Sequence, residues 1–310
     1  MRRRMFAFLP VVVLFAASNT SVAITNGELD GEDHPYVGLM VAKDADGLPL
    51  WRCSGALLDS THFLTAGHCT EAPAVFASVW FDSDVESGIP ENGYPTRGDV
   101  PVPGGLHGTV HTHSSYNPNA FFLHDLGMVV LDEPVEGITE FASLPTLDVL
   151  DQMAKRRGQQ DVSFTAVGYG LQQINPVFVQ SERVRMVSHP KLNAINVPGF
   201  TGDFSVLLSN NHSTGGTCFG DSGGPNFIGD TNVIGGVTSF GLNGNCAGTG
   251  GVYRVDRADD LEWLADTFNL GPPTVASAGR AHAVPEPSSA MFALIGLVGF
   301  VQFSRKRLDR

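Results

Sequence analysis

Three short segments, far apart in the chain and in a set order, constrain this sequence more than any other feature. Thr65-Ala66-Gly67-His68-Cys69 comes first, Asp125-Leu126 second, and Gly220-Asp221-Ser222-Gly223-Gly224-Pro225 third. A serine hydroxyl is a weak nucleophile at neutral pH. It needs an imidazole to take its proton and a carboxylate to fix that imidazole's tautomer. A fold that uses these groups must bring His68, Asp125 and Ser222 together across separations of 57 and 97 residues. Each alone has an ordinary reading: a turn serine, a core or surface histidine, an aspartate capping a strand. Together, inside glycine-rich surroundings, they point to nucleophilic acyl transfer with Ser222 as nucleophile, His68 as general base and then acid, and Asp125 as its orienting partner.

The order discriminates between folds. Gly220-Asp221-Ser222-Gly223-Gly224 also satisfies the G-x-S-x-G pattern of an α/β-hydrolase elbow, but that fold places its histidine after the serine. The only later histidine here is His282, in the tail. The order His, Asp, Ser resembles that of the chymotrypsin/trypsin-like serine peptidases, and the likeness spans about Ile24 to Asn269. It implies an all-β fold of two antiparallel six-stranded β-barrels, about 24–140 and 141–255, followed by a closing α-helix over about 257–269. The local patterns agree. Short β-prone runs such as Tyr36 to Val41, Leu126 to Leu131, Ser163 to Gly170, Val233 to Thr238 and Gly251 to Val255 alternate with turn material. With 42% hydrophobic residues, 16% charged residues and 36 glycines, the composition suits a turn-rich β protein with a substantial core. Leu261, Leu264, Ala265 and Phe268 recur at helical spacing, as expected of the closing helix.

The family resemblance also assigns roles. Gly220 and Ser222 would supply the backbone N–H groups of an oxyanion hole, worth about 2.7 to 4 kcal/mol of transition-state stabilisation per donor. Asp221 would pair with a freed N-terminal amine, for which the candidate is Ile24. Cys53 would pair with Cys69, closing a loop of 16 residues, and Cys218 with Cys246, bracing the substrate pocket. Gly216, Thr217, Ser239, Phe240, Gly241 and Gly251 would form that pocket. Gly216 stands where trypsin-type members carry an aspartate, so the expected preference is for an apolar or aromatic side chain before the scissile bond. A cationic one would be buried unpaired.

The two ends read differently from the middle. Arg2, Arg3 and Arg4 precede an apolar run from Phe6 to Ala17 and the small residues of Ser21-Val22-Ala23, the signature of a secretory signal peptide over 1–23. Its cleavage site falls between Ala23 and Ile24, so export itself would create the activating terminus. A Pro-containing stretch without periodicity over 270–284 reads as a linker. Val284-Pro285-Glu286-Pro287, an apolar run from Ala290 to Phe303 and Arg305-Lys306-Arg307 follow it. This 285–310 segment resembles a PEP-CTERM sorting signal with a short transmembrane segment. The resemblance implies an exosortase-type processing enzyme as partner and a bacterial cell envelope, surface or extracellular matrix as destination.

Between Ile24 and Val284 the chain holds 12 basic and 30 acidic residues. So acidic a body, with no basic stripe, would repel phosphate backbones, which argues against nucleic acid as a partner. Protein or peptide substrates are expected, and the chemistry requires no cofactor. The histidines at His107, His111, His113 and His124 fit a surface loop better than a metal site, and no metal is expected. A non-catalytic surface or matrix binding protein on the same fold is the rival from another class. Ester hydrolysis would share the chemistry.

Overall fold

The computed structural model of the chain describes residues 24–96, 104–153, 162–174, 179–198 and 201–271. The segments read from the sequence as a signal peptide (1–23) and a sorting signal (285–310), and all of the expected linker beyond Gly271, lie outside the described residues. Among those described, no helix is long and apolar enough to cross a membrane.

The described chain opens with a two-residue strand, β1 (Glu28–Leu29). Six strands then form a closed barrel: β2 (Val37–Lys43), β3 (Pro49–Leu57), β4 (His62–Thr65), β5 (Phe76–Trp80), β6 (Leu106–Thr112) and β7 (Gly127–Leu131), paired in the order β2-β3-β4-β7-β6-β5. Every neighbouring pair is antiparallel. Leu39, Leu57, Phe63, Leu64, Val79, Met128 and Val129 fill this half of the core. Closing the sheet on itself leaves no unpaired edge in this half.

The second half contains β8 (Phe164–Gly168), β9 (Gln173–Ile174), β10 (Val179–Gln180), β11 (Met186–Ser188), β12 (Leu192–Ile195), β13 (Ser205–Asn210), β14 (Pro225–Ile228), β15 (Ile234–Gly241) and β16 (Gly248–Arg254). Eight strands make one sheet in the order β1-β11-β8-β14-β15-β16-β13-β12, with β9 and β10 as a separate ribbon. The sheet curls until β8 and β12 approach. A single bridge, Ser163 to Lys191, joins them there, flanked by Phe164 N–H to Pro190 O at 2.8 Å and Leu192 N–H to Val162 O at 3.0 Å. The second half is thus closed by one bridge rather than a full ladder. The segment from Ile24 to Leu29 makes its strand pairing with this sheet and not with the first barrel, since β1 pairs with β11 and Thr25 bridges Gly216.

One buried ion pair ties that segment to both halves. Arg185 is fully buried, and its guanidinium donates to Asp30 Oδ2 at 2.8 Å and to the carbonyls of Gly31, Val37 and Phe81 at 2.7, 3.2 and 2.9 Å. The closing helix, α2 (Ala258–Phe268), has Asp259 and Asp260 in its first turn, where the macrodipole favours acids, and stops at Asn269 in the left-handed conformation. Its packing differs from the simple face read in the sequence. Leu261, Leu264, Trp263 and Phe268 pack against the core, whereas Ala265 is exposed and Asp260 is buried under the Tyr253 hydroxyl.

Candidate active site

His68 sits in a one-turn helix, α1 (Gly67–Thr70), directly after β4. Asp125 lies just before β7, the strand paired with β4, so the barrel ladder itself sets the two side by side. Asp125 is fully buried. It accepts from His68 Nδ1 at 2.9 Å (Oδ2) and from the His68 backbone N–H at 2.8 Å (Oδ1), which fixes the ring at two points. Burial pulls the imidazole pKa down, but the adjacent Asp125 carboxylate outweighs it and holds His68 above its ordinary value. Nδ1 is committed to Asp125, so Nε2 is the nitrogen left to exchange a proton.

Ser239, predicted only as a pocket residue, donates its hydroxyl to Asp125 Oδ2 at 2.5 Å. It reaches from β15 of the second half to the aspartate of the first. Ser222 stands across the same seam. Its carbonyl accepts from the Ser54 N–H of β3 at 2.8 Å and lies 3.6 Å from Sγ of Cys69, the residue after His68. Bridges join Cys53 to Cys69 and Cys218 to Cys246, with Cα separations of 6.2 and 5.3 Å.

The turn before Ser222 is held from two sides. Phe219 O accepts from Leu171 N–H at 2.9 Å, which turns the Gly220 N–H the opposite way. Gly220 O accepts from Ser54 Oγ at 3.0 Å, and Ser54 Oγ in turn accepts from Tyr169 N–H at 3.0 Å. Gly220 has φ of +97°, where any other residue would be strained. Among the described hydrogen bonds, the N–H groups of Gly220 and Ser222 have no acceptor. Two free donors beside a serine hydroxyl are what an oxyanion developing on an acyl group would require. Ser54, which orients them, carries no signal in the sequence beyond its place next to Cys53.

Asp221 is buried, with Gly170 N–H on Oδ1 at 2.7 Å and Cys218 N–H on Oδ2 at 2.8 Å. Burial pushes its pKa up to about 7, against the lowering effect of those two N–H groups and of Arg52. No cation pairs with it among the described residues. Ile24 is fully buried beside Met186, and here its nitrogen is a peptide N–H within the 310-residue chain. The structure does not join Ile24 to Asp221 by any described contact. It does anchor the following residue, since Thr25 bridges Gly216 and donates to Asn210 Oδ1 at 2.9 Å.

A cavity of about 250 Å³ opens beside Ser222, lined by Phe121, Thr217, Cys218, Phe219, Thr238, Ser239, Phe240, Gly241 and Cys246. No lining residue carries a charge. Thr217, Ser239, Phe240 and Gly241 were read from the sequence, and Phe121 and Phe219 were not. Two predicted glycines sit elsewhere. A Cβ on Gly251 would strike the Phe240 ring, so Gly251 supports that ring from behind, and Gly250 is the one facing Thr217. A Cβ on Gly216 would strike Asn210, whose amide donates to Thr217 O at 2.7 Å and accepts from Thr25. A neutral amide, hydrogen-bonded at both its nitrogen and its oxygen, thus occupies the space beneath position 216.

His113, His124 and Asp260 also converge, with ligand-type atoms within 4.8 Å of one another. Yet Ser115 N–H donates to His113 Nδ1 at 3.1 Å, so the proton of the neutral ring sits on Nε2, the nitrogen facing Asp260 at 3.8 Å. That nitrogen has no lone pair to offer a metal. The stacked pair His113 and His124 instead packs between Trp263 and Phe204.

Comparison with known proteins places this geometry in context. The family model described as Trypsin matches residues 28–261. A collagenase of Hypoderma lineatum is 26% identical over 238 residues, 76% of this chain and 83% of that protein. Serine protease 1 of Drosophila melanogaster is 25% identical over 251 residues, 80% of this chain and 86% of that one. Among solved structures, HL collagenase superposes with a TM-score of 0.59 at 22% identity, over 80% of this chain and 99% of that one. A scabies mite inactivated protease paralogue superposes at 0.57 with 13% identity, over 80% of this chain and all of that one. These superpositions speak for the fold.

Proposed function

The chain belongs to the trypsin family, and from that premise we propose that it is an exported serine endopeptidase acting through Ser222, His68 and Asp125. The observation that carries this reading is the pair of unengaged N–H groups on Gly220 and Ser222, in a turn whose Ser222 carbonyl lies 3.6 Å from Sγ of Cys69, the residue after a histidine fixed on a buried carboxylate. In the proposed reaction Ser222 Oγ attacks the substrate carbonyl as His68 Nε2 takes its proton. The two N–H groups receive the oxyanion, and His68 returns the proton to the departing amine. Water activated by His68 then releases the acid product. The uncharged cavity supports a preference for an apolar or aromatic side chain on the acyl side. Arg or Lys would leave its charge there without a partner.

The signal segment gives this reading a start. Cleavage after Ala23 would convert Ile24 N–H into an ammonium close to a segment already docked through Thr25, and Asp221 is a buried carboxylate that lacks a cation. Export would then complete the site without a separate propeptide. The tail is proposed to be an exosortase substrate that holds the enzyme at a bacterial surface. The mass of the secreted protein tests this, and a chain still ending at Arg310 would reject it.

Mass spectrometry of secreted protein treated with a fluorophosphonate, with Ser222→Ala as control, tests the catalytic reading. An adduct on Ser222 in protein beginning at Ile24 is expected. Folded protein with that terminus and no adduct would move the assignment to a non-catalytic binding protein, a course consistent with an inactivated protease paralogue sharing the fold. Active protein beginning upstream of Ile24 would reject activation by export.

A further inference from the structure

Five arginines are described, and four of them pair with a carboxylate: Arg183 with Glu86, Arg185 with Asp30, Arg254 with Asp151 and Asp256, and Arg257 with Asp148. Arg52 does not. In a body so rich in acid, a guanidinium with no carboxylate in contact stands out, and its charge reaches Asp221, behind the turn. Its place is equally specific, since Nε and Nη2 lie 3.1 and 3.2 Å from where a Cβ on Gly220 would stand, against the turn that presents the oxyanion donors. Arg52 is half-buried, and its one described hydrogen bond runs from Nη2 to Ser181 Oγ at 3.0 Å. Asp221 lies behind that turn but has both oxygens engaged by backbone N–H groups and makes no ion pair with Arg52.

The side of the cleft follows from the chemistry. The acyl-side residue enters the cavity, whose walls come from 217–222 and 238–246 of the second half and from Phe121. The leaving nitrogen must reach His68 Nε2 to be protonated, so the leaving segment departs over the first barrel, across the bridge of Cys53 and Cys69. Arg52 lies on β3 beside Cys53, and its guanidinium rests against the Gly220 turn, which sets it at the border of that exit. We propose that Arg52 makes the leaving-group side of this cleft selective for an acidic residue within the first two positions after the scissile bond. The guanidinium keeps donors directed away from Ser181, and a carboxylate can take two of them at once. The substrate class is then polar in a directional sense, apolar before the bond and acidic after it.

This inference rests on the peptidase reading, and the test separates the two. Peptides sharing one aromatic acyl-side residue and differing only in Asp, Asn or Lys at the first or second leaving-side position are compared by kcat/KM. The native enzyme is expected to favour Asp over Asn about fivefold, as a solvated ion pair would, and the ratio should shrink as salt is raised. Arg52→Ala should bring the ratio to one, and Arg52→Glu should move the preference to Lys. Cleavage of all peptides with an Asp to Asn ratio near one in the native enzyme overturns the role of Arg52 and leaves the peptidase reading intact. So does an Arg52→Ala enzyme that slows every peptide by the same factor, because that marks a support for the turn alone. Absence of cleavage together with absence of a fluorophosphonate adduct overturns the peptidase reading itself.

Discussion

Asp30 and Asp221 are both buried carboxylates, and the protein treats them in opposite ways. Asp30 faces the Arg185 guanidinium and the His34 ring. Burial alone would raise its pKa, but those two partners overcome it and hold Asp30 below the usual carboxylate range. Asp221 has two backbone N–H groups and no cation in contact, and its pKa rises to about 7. The first network is complete and joins three parts of the chain. The second is one charge short, and it lies next to Ser222. A buried carboxylate without a counter-charge in contact is expensive in a structural role, so its place in the turn between Gly220 and Ser222 argues for function.

The most forceful way to break the comparison is to make Asp30 resemble Asp221. Arg185→Met leaves Asp30 buried without its guanidinium and should cost about 3 to 5 kcal/mol, read as a large fall in thermal midpoint. A loss below about 1 kcal/mol would mean the network is not the tie between halves that its geometry suggests.

The next largest effect is in pH dependence, where the two residues have opposite signs. Asp30 is lowered, so its contribution stands at neutral pH and is lost as pH falls through its folded value. Asp221 is raised, so its contribution is present below the ordinary carboxylate pKa and is lost as pH rises through about 7. In uncleaved Ser222→Ala protein, the stability advantage over the further Asp221→Asn variant should therefore shrink by up to about 4 kcal/mol between pH 4 and 7. In protein that begins at Ile24 the shrinkage should disappear, because an ammonium would supply the missing charge. Equal pH dependence in both forms would remove Ile24 as the partner of Asp221.

The smallest effect tests the turn that leads through Gly220 and Asp221 to Ser222. Ser54→Ala removes the hydroxyl that joins Gly220 O to Tyr169 N–H, and should cost about 1 to 2 kcal/mol of transition-state stabilisation, seen as a fall in kcat with little change in KM. A change confined to KM would place Ser54 in substrate binding rather than in holding the turn.

The three motif segments, the bridge partners and the closing helix were legible because each rests on local chemistry or a family pattern, and short-range geometry carries it into the fold. Gly251 lies behind the Phe240 ring for an identifiable reason. The pairing of β15 with β16 shifts register between Thr238 and Phe240, and a one-residue bulge reverses which face the opposite glycine presents. No pattern of residue types announces that shift. The roles of Ser239, Ser54 and Asn210 were obscure for a related reason, since each acts through hydrogen bonds to groups more than five residues away. The unpaired state of Arg52 is a property of what surrounds it, which composition cannot express.

By itself the sequence determined the fold class and which groups are proposed to do the chemistry, because a nucleophile, a base and an orienting acid are residue types, and their order argues against competing folds. The tertiary structure alone decided how those groups are held: which carboxylate receives a cation, which N–H groups stay free and which glycine faces the cavity. These depend on burial and on strand register, and both arise only when distant segments pack together.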